Sequence, residues 1–195
     1  MGLRLFQCLL LLICVSCSTD NKTYDYYEDG AVHREYSLEN GKSNGVVKVF
    51  YPDGILQSSF EVCNGVKCGE DIVFYETGKV MIVTNFNSRG LESGDRREYY
   101  ESGGVKLSCT YSDGKKVGQS IDFYEDGVRW QVNNYKNDLL DGVQIAYHTN
   151  GQVGFTGNYD LGKEVGEHYF IRPDGDTVKI EVYDSNGILL KKIEG

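Results

Sequence analysis

The side chains able to act as nucleophiles, general bases or metal ligands are widely separated in this sequence. The histidines His33, His148 and His168 occupy different segments, and none has Cys or His neighbours at the spacing of a zinc site. The motifs H-E-x-x-H and G-x-S-x-G and the phosphate-binding loop do not occur. Because catalysis needs a convergent set of polar groups, the sequence predicts a protein that is not an enzyme and holds no metal or cofactor.

Three cysteines, Cys63, Cys68 and Cys109, lie in the body of the chain and could have structural roles. Cys63 and Cys68 flank a short turn, and opposed hairpin positions come within the roughly 4.4–6.8 Å between Cα atoms that a disulfide requires. A disulfide between them and two unpaired thiols are both consistent with the sequence. Cys109 stands on a predicted strand, and we expect a small buried side chain there.

A repeat of 24 residues organises the chain around these positions. Its Tyr-x-x-Gly signature begins at Tyr27, Tyr51, Tyr75, Tyr100 and Tyr124, which we call the Tyr row, and degenerate copies begin at His148 and Arg172. Two more glycine columns keep the same phase. One runs through Gly45, Gly69, Gly94, Gly118, Gly142 and Gly166, and the other through Gly41, Gly65, Gly90, Gly114 and Gly162, with Asp138 at the missing place. Three columns in one phase indicate a repeat protein.

Each repeat has room for two strands of about six residues and two tight turns. Asp-Gly pairs such as Asp53-Gly54 favour hairpin turns, and apolar residues alternate between the turns, as in Ile72/Phe74 and Ile121/Phe123. The pattern predicts an all-β protein over residues 24–195. We expect an elongated antiparallel meander of stacked β-hairpins, about seven repeats and about fourteen strands, in a single twisted sheet.

The repeats resemble the variant MORN repeat (membrane occupation and recognition nexus). The clearest matches are Phe123-Tyr124-Glu-Asp-Gly127 and Tyr111-Ser-Asp-Gly114-Lys-Lys-Val-Gly118, and the resemblance covers about residues 24–191. Bacterial proteins built of such repeats are often labelled toxin–antitoxin system antitoxins, and many are exported lipoproteins. The resemblance therefore implies a β-hairpin array with an interaction role, and it brings no catalytic residues with it.

Residues 1–16 are predicted to be a lipoprotein signal peptide. The apolar run Leu5–Val15 follows Arg4 and is too short to span a bilayer, which needs about 20 residues. Ser16-Cys17 resembles a bacterial lipobox, which implies that Cys17 is lipidated and that residues 17–23 form a short tether. An ordinary cleaved signal and an uncleaved N-terminal anchor are the alternatives. Ser18 after the lipidated Cys favours the outer membrane over the inner membrane.

Net charge bears on the kind of partner. The chain has a formal net charge of −9, with 20 Lys and Arg residues against 29 Asp and Glu residues. Nucleic acid is excluded as a partner because so acidic a protein would be repelled by phosphates. A basic protein is favoured for the opposite reason.

The Tyr row and Trp130 are the candidate binding surface. Aromatic side chains about 10 Å apart could grip an extended protein partner or stack on sugar rings, whereas in a purely structural role they would pack between neighbouring hairpins. We therefore expect an envelope-anchored interaction scaffold, of the antitoxin or immunity type. The alternative is a glycan- or cell-wall-binding module that uses the Tyr row.

Overall fold

The computed structural model describes residues 22–39 and 41–195. The predicted signal peptide and the predicted lipidation site Cys17 lie outside the described residues. Within those two ranges every regular element is a β-strand, and there is no helix long and apolar enough to cross a membrane.

The described part of the chain forms seventeen strands. In chain order they are β1 (Lys22–Tyr26), β2 (Val32–Glu39), β3 (Lys42–Ser43), β4 (Gly45–Phe50), β5 (Leu56–Cys63), β6 (Val66–Phe74), β7 (Val80–Phe86), β8 (Gly94–Tyr99), β9 (Val105–Ser112), β10 (Lys115–Phe123), β11 (Arg129–Lys136), β12 (Leu139–Leu140), β13 (Gly142–Tyr147), β14 (Val153–Asp160), β15 (Lys163–Ile171), β16 (Thr177–Tyr183) and β17 (Leu189–Glu194).

The sheet is an open antiparallel meander, as the repeat pattern predicts. Each long strand pairs with the long strands before and after it in the chain, from β1 with β2 to β16 with β17. The two-residue strands β3 and β12 pair at the ends of β2 and β11. The all-β fold class and the stacked hairpins are confirmed.

The number of long strands differs slightly from the prediction. Leaving out β3 and β12, residues 22–39 and 41–195 contain fifteen long strands rather than about fourteen. Seven Tyr turns and seven glycine turns alternate along the chain, and fourteen turns connect fifteen strands. The first strand begins at Lys22, before the predicted start of the array at residue 24. Consequently β1 precedes a Tyr turn and β17 follows a glycine turn. Both strands form edges of the sheet.

Backbone hydrogen bonds close each Tyr turn, and an Asp before the glycine adds a side-chain bond where it is present. In the second repeat, the N–H of Tyr51 donates to the C=O of Ile55 at 2.8 Å, and the N–H of Gly54 donates to the C=O of Tyr51 at 2.9 Å. The Oδ1 atom of Asp53 accepts from the N–H of Ile55 at 3.0 Å. Gly54 has φ +85°, a left-handed conformation that glycine adopts without steric cost.

The glycine turns pack each repeat against the next one. Leu91 lies against Gly114, where an added Cβ would be 3.6 Å from the leucine side chain, and Leu139 lies in the same way against Gly162. Asp138 replaces the glycine in the fifth repeat and has φ +70°. Its Oδ1 atom accepts from the N–H of Lys116 at 2.7 Å, a bond to the preceding repeat that glycine could not make.

Most of the buried side chains lie on one face of the sheet. Because side chains alternate along a strand, the registers place Val47, Phe60, Asp71, Thr84, Cys109, Ser120, Asn133 and His168 on this face, which we call the inner face. The outer face carries Ile72, Val83, Ile121, Val132 and Ile145. All of the buried residues except Cys68 and Val132 are on the inner face, so a single-layer sheet has its core there.

Candidate functional site

The Tyr row is half-buried and connects successive repeats. Each hydroxyl donates to the backbone carbonyl just before the next Tyr turn, at 2.6–3.0 Å. The donor and acceptor residues are Tyr27 and Phe50, Tyr51 and Phe74, Tyr75 and Tyr99, Tyr100 and Phe123, and Tyr124 and Tyr147. The hydroxyls are thus engaged within the protein, although the rings keep some exposed surface. Binding of a partner by this row stays a prediction.

His148 continues the series of the Tyr row. Its Nε2 atom is 2.8 Å from the carbonyl oxygen of Ile171, the same bond that the tyrosine hydroxyls make in the preceding repeats. The 24-residue spacing identified His148 as the equivalent of the row tyrosines. It did not predict that histidine can make the same bond to the next repeat. An added Cβ on Gly154 would be 2.7 Å from His148 Nε2, so the ring also needs this glycine beside it.

Trp130 is an accessible aromatic side chain beside Tyr124 of the Tyr row. It is 49% exposed, and its ring centroid is 6.3 Å from that of Tyr124. The equivalent residue of the first repeat, His33, lies much closer to its tyrosine, with 4.4 Å between the centroids of His33 and Tyr27. The structure therefore brings Trp130 and one member of the row together as a small open aromatic platform.

The three internal cysteines occupy two environments. Cys63 and Cys68 form a disulfide across the glycine turn of the second repeat, with their Cα atoms 5.8 Å apart. Cys109 is a free thiol and is 3% exposed on the inner face. Burial raises the pKa of the Cys109 thiol, which keeps it protonated and poorly reactive.

Charged side chains on the inner face are paired with one another. Lys67 Nζ is 2.8 Å from Asp71 Oδ2 and also lies 4.2 Å from the ring centroid of Phe60. Arg96 binds Glu92 at 2.7 Å and Glu98 at 2.8 Å. Burial lowers the pKa of the Arg96 guanidinium, but the hydrogen bond and charge of Glu98 outweigh that effect, so the net pKa is raised. Each of these two cations therefore lies beside a carboxylate on the inner face.

His168 is enclosed by aromatic rings on the inner face. It is 1% exposed, and its ring centroid lies 5.7 Å from Phe155, 5.4 Å from Tyr159 and 4.9 Å from Tyr183. Its Nε2 atom lies 3.0 Å from the backbone oxygen of Asn158 and 3.2 Å from the nitrogen. The ring fits because Gly157 has no side chain. Sequence reasoning treated His168 as unrelated to any site and missed this packing role.

The sequence also missed the row of buried polar residues on the inner face. Asp71 Oδ1, Thr84 Oγ1 and Asn133 Oδ1 are buried and have no hydrogen-bond partner among the described residues. Asp71, Thr84 and Asn133 occupy two positions of the repeat. In other repeats the same two positions hold the buried residues Val47, Cys109, Ser120 and His168. A signal for this row was available in the sequence, because polar residues recur at repeat positions that alternate with outward-facing ones.

The described residues contain no cluster of three His, Cys, Asp or Glu side chains that could hold a metal ion. One shallow cavity of about 300 Å³ lies on β1, β2 and β4. It is lined in part by Tyr36 and Val46, beside an ion pair between Lys22 and Glu35 with an N–O distance of 2.9 Å.

The edge formed by the Tyr turns is acidic. Its exposed carboxylates are Glu28, Asp29, Asp53, Glu76, Glu101, Glu125, Asp126, Asp174 and Asp176. The neighbouring cations are few, and Lys79 is already engaged with the backbone oxygen of Glu101 at 2.9 Å. The Tyr-turn edge thus carries a row of accessible negative charge.

The glycine turns of the last three repeats expose large apolar side chains. Leu139 is 47% exposed, Leu161 49%, Ile188 60% and Leu189 47%. We call these four residues the C-terminal ridge. Consecutive glycine turns are two strands apart, which places the three turns about 10 Å from one another along the edge.

The family comparison matches two hairpins of this array. The family model for the MORN repeat variant matches residues 43–64 and 92–113. Two segments of the chain are thus similar to the variant MORN repeat. Each matched segment consists of a strand, a Tyr turn and the following strand, namely β4 with β5 and β8 with β9. The MORN repeats therefore coincide with the hairpins that carry Tyr51 and Tyr100. No curated protein matches the chain significantly.

Proposed function

We propose that this chain is a non-enzymatic protein-interaction scaffold, held at the bacterial cell envelope by a lipid on Cys17 and bound to a basic protein partner. The observation that supports the scaffold best is the open single sheet, which leaves two turn edges accessible along seven repeats. The acidic Tyr-turn edge supports a basic partner. The MORN repeats support a binding role through their family.

The partner is tested by cross-linking in cells that produce the full chain. A photo-reactive residue at Glu125, on the acidic edge, is expected to capture one basic protein in a stoichiometric complex. The purified complex should weaken steeply as salt rises, because exposed charges are screened. Absence of any stoichiometric partner from cross-links at both turn edges would refute the scaffold.

The anchor is tested by labelling with palmitate. The wild-type chain should incorporate label, the Cys17→Ala variant should not, and the matched Cys14→Ala variant should retain it. Fractionation of labelled cells should place the wild type in the outer membrane. Equal labelling of all three chains would contradict the lipid anchor and leave the scaffold without its proposed location.

The antitoxin or immunity role is tested with the captured partner. Expression of the partner alone should arrest growth, and co-expression with the wild-type chain should restore growth if the scaffold neutralises a toxin. A partner that is harmless when expressed alone would contradict this role while leaving the interaction itself in place.

A glycan-binding role has one observation in its favour, the open platform formed by Trp130 and Tyr124. Aromatic faces stack on sugar rings, and half of the Trp130 surface is accessible. Retention on purified peptidoglycan that survives high salt, is lost in Trp130→Ala and persists in Tyr75→Phe would support this function. Elution of the wild type by salt alone would contradict it.

A further inference from the structure

Leu161 combines two unfavourable features in one residue. Its side chain is 49% exposed, and its backbone has φ +45°, in the left-handed region that L-residues with bulky side chains rarely adopt. At the same place in other glycine turns stand Asn64, Asp113 and Asn137, whose short polar side chains tolerate this conformation. Leucine here stabilises neither the turn nor the core, which points to a role outside the fold.

The neighbours of Leu161 extend it into a surface. Leu139 precedes it by one repeat, and Ile188 and Leu189 follow it by one repeat, so that apolar side chains stand about 10 Å apart on three consecutive turns. Exposed apolar residues that form a contiguous group mark interaction sites more often than single ones do. At the position of Leu139 the second and third turns also have exposed apolar residues, Val66 and Leu91, and the fourth turn has Lys115, which separates the last three turns from them.

The charges around the C-terminal ridge define what could cover it. Its three turns carry the carboxylates Asp138, Asp141, Asp160, Glu164 and Asp184 against the cations Lys136 and Lys163. The fourth turn has the opposite balance, with Lys115 and Lys116 against Asp113. An apolar surface bordered by negative charge favours binding of a partner whose own apolar surface is bordered by positive charge. A second copy of this acidic chain lacks that complementarity.

We propose that the C-terminal ridge is the docking site for a basic protein segment whose apolar side chains stand about 10 Å apart. This inference rests on the proposed scaffold function and gives its basic partner a contact at the glycine-turn edge of repeats five to seven, in addition to the acidic Tyr-turn edge. In an amphipathic helix, residues seven apart are separated by about 10.5 Å, close to the spacing of the turns. Leu161 is the central anchor, with Leu139 and Ile188 on either side.

The probe for this site is a synthetic Lys-rich helical peptide with leucine at every seventh position. Its titration into the full chain should give saturable binding. Leu161→Asn should weaken that binding about tenfold, because it removes the apolar contact, and should leave the fold as stable or more stable, because asparagine tolerates the left-handed conformation. The control variant Val46→Asn removes an equally exposed apolar side chain from the first repeat and should bind as the wild type does.

Three results would overturn the ridge as the docking site. These are equal binding of the wild type and Leu161→Asn, equal binding of a peptide with the same composition and shuffled leucines, or no binding of either peptide. Sedimentation of the chain alone and flotation with uncharged phosphatidylcholine vesicles are run beside the titration. Self-association or vesicle binding that depends on Leu161 would assign the ridge to a second copy or to a lipid surface instead, and would also overturn the proposal.

The captured natural partner separates this inference from the scaffold function. If that partner binds the wild type and Leu161→Asn equally, the ridge is not the docking site, and the scaffold function stands. If no partner is captured with any chain, the scaffold function fails, and the peptide titration still decides whether the ridge is a binding surface.

Discussion

The packing of His168 against Gly157 allows a quantitative test of how this single-layer sheet forms its core. A Cβ added to Gly157 would lie 2.8 Å from His168 Nδ1 and 2.8 Å from the outermost ring carbon of Phe155. The histidine cannot move aside, because Tyr159 and Tyr183 flank its ring. Gly157→Ala should therefore destabilise the protein by about 1–3 kcal/mol, the usual cost of overpacking.

The same substitution should have the opposite sign when the histidine is absent. His168→Ser copies the serine that stands at this position in the fourth repeat and should by itself cost about 2–4 kcal/mol, because it leaves a cavity among the aromatic rings. In that background the outer end of the Phe155 ring, the other group close to the added Cβ, can move into the vacated space. Gly157→Ala then fills part of that space and restricts the unfolded chain, so we expect it to be neutral or to stabilise by about 0.5 kcal/mol. The coupling energy between the two sites should be about 1–3.5 kcal/mol.

The measurement is urea unfolding of the wild type, the two single variants and the double variant, followed by Trp130 fluorescence and by circular dichroism. Coincident transitions and similar m-values would justify comparing free energies of unfolding across the four proteins. If Gly157→Ala costs the same in the wild-type background and in the His168→Ser background, the two side chains do not compete for space. The proposed basis of the inner-face core would then be wrong.

Three further predictions concern the connections between repeats. Tyr75→Phe removes the 2.7 Å hydrogen bond to the carbonyl of Tyr99 and should lower the free energy of unfolding by about 0.5–1.5 kcal/mol in chemical denaturation, whereas Tyr26→Phe, at an exposed ring, should leave it unchanged. Burial, then the charge of Glu164, raises the pKa of Tyr183 to about 12, so its neutral form is favoured in the folded state. The stability that comes from neutral Tyr183 is complete below about pH 10, where unfolded tyrosine is also neutral, and should disappear as pH rises to about 12. Thermal melts across this pH range should show the loss in the wild type, and the Tyr183→Phe variant should show a flatter profile. Reduction of the Cys63–Cys68 disulfide, checked by thiol titration, should lower the free energy of unfolding by only about 2 kcal/mol because the closed loop is short; no change on complete reduction would contradict this.

Much of the fold could be predicted because the residues within each repeat determine where its turns form. Asp53-Gly54 and its equivalents require a left-handed residue at a fixed place, and alternation between the turns requires strands. The candidate site was harder to predict. The Tyr row was visible as a column, but its hydroxyl bonds join residues that are 23 or 24 positions apart, and only the pairing of hairpins brings them together.

Departures from the repeat could not be interpreted without their neighbours. His148 and Asp138 look like lost consensus residues in the sequence. His148 nevertheless makes the bond that tyrosine makes in the preceding repeats, and Asp138 adds a side-chain bond to the preceding repeat. Leu161 shows the reverse case. The repeat alignment shows only that leucine stands where other turns have Asn or Asp, and its positive φ and its exposure show why that matters.

The sequence by itself determined the length of the repeat, the places of the turns and the antiparallel meander, because turn conformation and strand alternation depend on residues close together in the chain. The tertiary structure decided which face holds the core, how Gly157 and His168 share one volume, and which apolar side chains remain exposed at repeats five to seven. Those features depend on contacts across neighbouring strands, where the size and charge of one residue have meaning only beside those of another.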